Sequence, residues 1–232
     1  MRGEVGVDLT SGVELRLKFV PGRKVFYTLD TQLEQQVQRA GQVLNENETH
    51  FQAYLRQRVL ATDPDGCGHV VTITTPPVPN PGSERQIVYQ RVDPRGAVLD
   101  VSGMNPTNSY ALPEGPVKED TSWKGEVQLP LPQSPKPINC LTEYVVTGTT
   151  EFNGLKCVKI ECVVEDFEFE LPMPDGTGMA KVIMGSQGSM LFAPEEGILA
   201  RMEVETVTSP QIGNMVFTTS TVITQEFRSF EA

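Results

Sequence analysis

The sequence predicts an all-β protein: a long, strongly curved antiparallel sheet, arranged as a half-barrel or as two β-layers, with little helix. Three observations carry this. Apolar residues recur at every second position through much of the chain, the spacing of a strand with one buried face. Asn-Gly and Asp-x-x-Gly sequences separate these runs, and such residues build tight turns. No segment keeps a helical apolar period for three turns.

The elements follow in order. Val25, Tyr27, Leu29, Thr31 and Leu33 share one face, with Thr28, Asp30, Gln32 and Glu34 on the other. Phe51, Ala53, Leu55, Val59 and Ala61 repeat the pattern against Gln52, Arg56 and Arg58. Asn45-Glu46-Asn47 falls between the two runs, so a long hairpin turning there is expected. Asp63-Pro64-Asp65-Gly66 turns the chain, and residues 69–75 read as strand from their β-branched content. Residues 76–85 (PPVPNPGSER) form a proline-rich loop that cannot continue a sheet. Residues 86–92 and 97–102 are short strands around Asp93-Pro94-Arg95-Gly96. The stretch 103–123 reads as irregular, with room for one short helix. Residues 123–131 read as strand, and 130–137, with prolines at 130, 132, 135 and 137, as an extended connector.

The second half opens with a strand at 143–150, a turn at Asn153-Gly154 and a strong strand from Leu155. Val158, Ile160, Cys162 and Val164 are in phase there. Phe167, Phe169 and Leu171 are out of phase with them, and a bulge near Glu165-Asp166 restores a common face. Residues 172–178 turn the chain. Strands at 179–184, 189–192, 198–207 and 214–227 complete the order, with Gly185-Ser186-Gln187-Gly188 read as a bulge or turn. A weak internal repeat pairs residues 88–99 with 190–199: each is strand, proline-containing turn, glycine, strand. It points to related halves at 13–102 and 141–227, joined by a connector at 103–140.

With 232 residues, the chain is expected to form a single domain over 1–232 with a sizeable core. Its formal net charge is −11, from 19 basic and 30 acidic residues. A protein that tracks a phosphate backbone needs a basic surface, so no nucleic-acid partner is expected. No apolar run reaches the roughly 18 residues of a spanning helix, so no transmembrane segment is expected. The first eight residues hold no apolar run and no small-residue cleavage site. The compartment therefore stays undecided: cytoplasmic if Met1 is the native start, the cell envelope if a leader has been removed.

Chemical motifs are sparse. Cys67, Cys140, Cys157 and Cys162 are too few for a disulfide scaffold. Cys157 and Cys162 point to opposite faces of an unbulged strand, so reduced thiols are expected, with a disulfide through Cys67 or Cys140 left open. Cys67 and His69 supply two of the three or four ligands that zinc requires, so no metal is expected. Asp63-Pro64-Asp65-Gly66 and Asp175-Gly176-Thr177-Gly178 lack the longer ligand series of a calcium loop and read as turns. Glu165, Asp166, Glu168 and Glu170 alternate with apolar residues, as a solvated sheet face does. There is no nucleophile elbow and no phosphate-cradling loop. No catalytic residue and no cofactor is expected.

Leu112-Pro113, Pro116-Val117, Asp120 and Trp123 resemble a pattern in bacterial β-rich proteins, many of them lipoproteins or exported. Those read Asp-x-x-Gly-x-Val, then Leu-Pro-x-x-Pro-Val, then Gly-Asp-x-Trp and a tyrosine-rich hairpin. Here Asp93, Gly96, Val98 and Tyr144 complete the match, and Glu119 replaces the usual glycine. The pattern is similar to that of the lipoprotein-carrier (Lol-type) half-barrel, an antiparallel sheet curled around a hydrophobic cavity. The resemblance implies the fold more than the function. This chain departs from the exported members in having no lipobox and no basic surface.

The leading functional expectation is non-enzymatic binding of an apolar or amphipathic ligand, such as a lipid, on the concave face. Long two-faced strands must cover one apolar face, and few helical residues exist to cover it. The candidate lining residues are Tyr27, Leu29, Phe51, Leu55, Trp123 and Met202, each of which also fits a plain core. Trp123 fits equally an anchor that closes a loop against the sheet. One alternative is a structural protein that self-associates through sheet edges. Another is an enzyme of unknown type, using Cys67 with His69.

Overall fold

The computed structural model describes residues 6–77, 85–102, 110–129, 138–172 and 178–231. Most of the expected loop at 76–85, the connector at 130–137, most of the turn at 172–178 and the first seven residues of the stretch 103–123 with room for a short helix lie outside them. Within the described residues there are eleven strands and no helix: β1 (Lys24–Arg39), β2 (Gln42–Thr62), β3 (Gly68–Thr75), β4 (Gln86–Val92), β5 (Val98–Ser102), β6 (Ser122–Leu129), β7 (Ile138–Phe152), β8 (Leu155–Pro172), β9 (Met179–Ala193), β10 (Ile198–Ile212) and β11 (Met215–Glu231). They form one curled antiparallel sheet, so the half-barrel form of the expectation holds.

The strand order is β5-β4-β3-β2-β1-β11-β10-β9-β8-β7-β6. This is a meander from β1 to β5 and another from β6 to β11, joined where the first strand pairs with the last. β1 and β11 pair antiparallel along their full length, from Lys24 with Glu231 to Arg39 with Met215. All ten neighbouring pairs are antiparallel. Direction therefore reverses ten times between the two edges, and β5 and β6 run the same way. Two parallel edges cannot be joined by a hairpin. The chain crosses over between them instead, its described part being residues 110–121, and the sheet stays open at that seam.

Several turns form as the local chemistry dictates. Asn153 and Gly154 both adopt positive φ, 48° and 78°, as a two-residue hairpin turn requires. The β8–β9 register shifts between Val164 and Phe167, the bulge that brings Phe167 and Phe169 into phase. Two turn expectations are corrected. The β1–β2 hairpin turns at Ala40-Gly41, with φ of 49° and 80°, and not at Asn45-Glu46-Asn47. Asn45 and Asn47 pair with Val37 and Gln35 inside the ladder. Polarity there marks a solvated hairpin tip, while Gly41 supplies the backbone freedom of the turn. Residues 185–188 likewise form no turn and lie within a continuous β9. A Cβ at Gly188 would sit 2.4 Å from the Glu203 carbonyl oxygen, so glycine there permits a close strand approach.

Two apolar clusters hold the sheet. One joins Tyr144, Val146, Val158, Ile160, Cys162, Met190 and Phe192 with Leu15, Leu112 and Val117 from outside the strands. The other joins Val25, Tyr27, Leu55, Cys157, Ile198 and Phe227. All four cysteines are buried and unpaired.

Candidate functional site

The strand directions place the β2–β3, β4–β5, β7–β8 and β9–β10 turns at one end of the curled sheet. Residues 13–23 run across that end and tie its turns together. Val13 exchanges backbone hydrogen bonds with Val117, the Leu17 amide donates to the Pro94 carbonyl, and the Lys18 amide donates to the Gly197 carbonyl. Thr62 Oγ1 donates to the Phe19 carbonyl at 2.6 Å. Arg23 donates to the Glu196 carbonyl at 2.9 Å, and Arg16 donates to the carbonyls of Pro113 and Glu114. A Cβ at Gly68 would lie 2.1 Å from the Phe19 ring, so the segment fits because position 68 has no side chain. The turn end is thus capped by the chain itself.

Directly inside the cap, where the two apolar clusters meet, lies a cavity of about 120 Å³. Val25, Tyr27, Leu55, Val59, Leu199 and Met202 give it apolar walls, and Arg23, Gln57, Gln90 and Gln225 give it polar ones. Burial pushes the Tyr27 phenol well above its usual range, although Arg23 opposes the shift. Desolvation lowers the Arg23 pKa. The cavity is therefore amphipathic, with a buried phenol and a half-buried guanidinium on its wall.

The expected lining residues divide. Tyr27 and Leu55, 3% and 5% exposed, line the cavity, as does the half-buried Met202. Leu29 shares their face and packs against the second cluster, just beyond the cavity. Phe51 pairs with Thr31 on the same face, yet it is 58% exposed and outside the cavity. Trp123 lies at the seam: its Nε1 donates to the Ala111 carbonyl at 2.8 Å, and its ring stacks on Tyr144. With Lys124, Gly125 and residues 110–114 it lines a separate cleft of about 490 Å³ that separates β6 from the start of β5. Gln57, Gln90, Gln225 and Tyr110 were missed. Gln57 sits in phase between Leu55 and Val59, and Gln90 between Val88 and Val92. A polar residue in an apolar phase is the signal that could have found them.

The chain matches no protein family and no curated protein. Among solved structures it is similar to a lipovitellin structure described for its lipid–protein interactions. That likeness has 8% identity and a TM-score of 0.43 over 92% of this chain and 26% of the other. The chain thus spans about a quarter of that protein's length. It is also similar to Ail, the attachment invasion locus protein of Yersinia pestis, with 8% identity and a TM-score of 0.22 over 90% of this chain and all of the other. These values establish no shared family.

The Cys67–His69 pair adopts an arrangement unlike that of a nucleophile and its base. His69 Nδ1 bonds the Tyr89 hydroxyl at 2.6 Å, and His69 Nε2 bonds Asp63 at 2.9 Å. Both ring nitrogens are thereby engaged away from the Cys67 thiol. Burial and the neighbouring Asp65 raise the Cys67 pKa, the opposite of what a nucleophilic thiol needs. Arg91 completes the cluster by bonding Asp63 at 2.8 Å and Asp65 at 3.0 Å. Among the described residues no group of three His, Cys, Asp or Glu side chains is placed to hold a metal ion.

Proposed function

We propose that the protein holds an apolar or amphipathic molecule, such as a lipid, on the concave face of its sheet and catalyses no reaction. One observation carries the reading: the chain caps one end of the curled sheet, while the concave side chains of β1, β10 and β11 continue past the cavity only half-buried. Leu29, Leu33, Val204 and Ile223 belong to this stretch, in register with Met202 and Gln225. The cavity alone, at about 120 Å³, corresponds to about four waters. An occupant therefore places one end among Tyr27, Leu55 and Met202 and the rest along the open strands. The glutamines on the cavity wall suit a polar group at the inner end. The resemblance of the Leu112–Trp123 motif to Lol-type half-barrels supports the same reading.

Native mass spectrometry of gently purified protein, before and after organic extraction, tests it. A lipid-sized adduct that disappears on extraction, and that Met202→Glu fails to retain, is the expected result. A bare monomer from both samples would overturn it.

A second reading is self-association through the sheet edges, because β5 and β6 each lack a strand partner on one side among the described residues. It predicts an oligomer that persists after extraction. A monomer at high concentration in sedimentation experiments excludes it.

A further inference from the structure

The opposite face of the same strands carries a different surface. Phe26, Arg56 and Ile73 form one register row across β1, β2 and β3, and Thr28, Tyr54 and Thr75 form the next. Cross-strand partners share a face, and these rows alternate with Tyr27 and Leu55, so they point away from the cavity. On the other side of β1 the ladder slips. Phe26 pairs with Ser229 and Tyr27 with Phe227, which leaves Arg228 as an extra residue. A bulge re-aims a side chain. Here it brings Arg228 to the convex side, where its Nε donates to Thr28 Oγ1 at 3.0 Å.

The result is a groove of about 560 Å³ whose lining includes Phe26, Tyr54 and Ile73 together with Arg56, Arg85 and Arg228. No lining residue is acidic, in a chain with 30 acidic and 19 basic residues. Among the described residues, Arg228 forms an ion pair with Glu226 at 3.2 Å, whereas Arg56 and Arg85 form none. Tyr54 leaves an aromatic surface 57% exposed beside them.

We propose that this convex groove binds a small amphipathic anion, a carboxylate, sulfate or phosphate head on an apolar body. Guanidinium groups match planar and tetrahedral oxyanions through paired N–H donors. The Phe26–Ile73–Tyr54 floor gains by covering its apolar surface. The volume falls within the range of small-molecule sites. One thickness of sheet separates the groove from the concave cavity, with Tyr27 and Leu55 bordering both, and this proposal does not rest on the concave reading because its arginines and apolar floor belong to the groove alone.

Calorimetry with octyl phosphate, kept below its micelle concentration, tests the proposal on the full chain. The wild-type protein binds it, and Arg56→Gln/Arg228→Gln weakens binding by about tenfold or more. Binding that is lost in Met202→Glu but kept in Arg56→Gln/Arg228→Gln would place the ligand on the concave face and overturn the proposal. Inorganic phosphate alone binds at least about tenfold more weakly than octyl phosphate, because it leaves the apolar floor uncovered. Arg85→Gln, outside the strands, provides a second variant should the double variant fail to fold, and it too weakens binding. Absence of binding to the wild-type protein, undiminished binding to the folded arginine variants, or equal affinity for inorganic phosphate would each overturn the proposal.

Discussion

The Trp123 indole lies flat against the Tyr144 ring, with centroids 5.2 Å apart and planes 9° apart. The two residues are direct partners across β6 and β7. The Trp123 Nε1–H and the Tyr144 hydroxyl both bond Ala111, at its carbonyl and at its amide. The stack therefore pins the crossover segment against the sheet edge. Trp123→Phe keeps an aromatic face but loses the indole hydrogen bond and part of the contact area. Urea denaturation should show a loss of about 1–2 kcal/mol. An unchanged midpoint would mean that the crossover is held elsewhere.

Ala40 carries the energetic weak point of the longest hairpin. Its φ of 49° is left-handed, a region that costs a residue with a Cβ about 1 kcal/mol. Ala40→Gly or Ala40→Asn removes that strain. Thermal melting of either variant should rise by the equivalent of about 0.5–1 kcal/mol.

Acid should loosen the β2–β3 turn. Hydrogen bonds from His69 and then Arg91 hold the Asp63 carboxyl below its usual pKa. A depressed carboxylate stabilises the fold above its unfolded pKa, and that stabilisation is lost as pH falls through the lower folded value. Melting temperature measured from pH 6 down to pH 2 should therefore fall less steeply in Asp63→Asn than in the wild-type protein. Parallel curves would show that Asp63 contributes nothing to the acid limb.

The thiols should be inert in the native state. Burial pushes Cys157 and Cys162 up to about 11 and raises Cys140 as well. An aromatic disulfide reagent at pH 8 should react slowly with folded protein and rapidly with all four cysteines in denaturant. Fewer than four reactive thiols in denaturant under non-reducing conditions would reveal a disulfide.

What was legible in the sequence was local. Period-two alternation located Tyr27, Leu55 and Ile160 on buried faces, and the phase change after Val164 announced the β8 bulge. Asn153-Gly154 named its own turn. The β1–β2 turn was misplaced because Asn45-Glu46-Asn47 looks like a loop, whereas an Ala-Gly turn has only one glycine to announce it. Phe51 had the right phase but the wrong depth: strand parity fixes a face, and burial depends on what reaches that far along it. Long-range relations left no trace in the pattern. The cap formed by residues 13–23, the β1–β11 pairing and the Asp63–His69–Tyr89 chain all join residues that only the closed sheet brings together. The Arg56, Arg85 and Arg228 groove was hidden for the same reason, since Arg228 lies 172 positions beyond Arg56.

The pairing of β1 with β11 sets the order in which the protein can be made. Of the eleven strands, β1 to β5 leave a ribosome first, with β1 bearing a bare 16-residue edge, and the strand that covers it follows the other ten. Contacts so distant in sequence slow folding and prolong the exposure of unpaired edges. A nascent chain halted before Met215 would hold two waiting edges, β1 and β10, which face each other across the space of one missing strand. Such a chain is a ready acceptor for any extended peptide. A synthetic peptide of residues 215–231, added in trans, is the natural candidate to complete it.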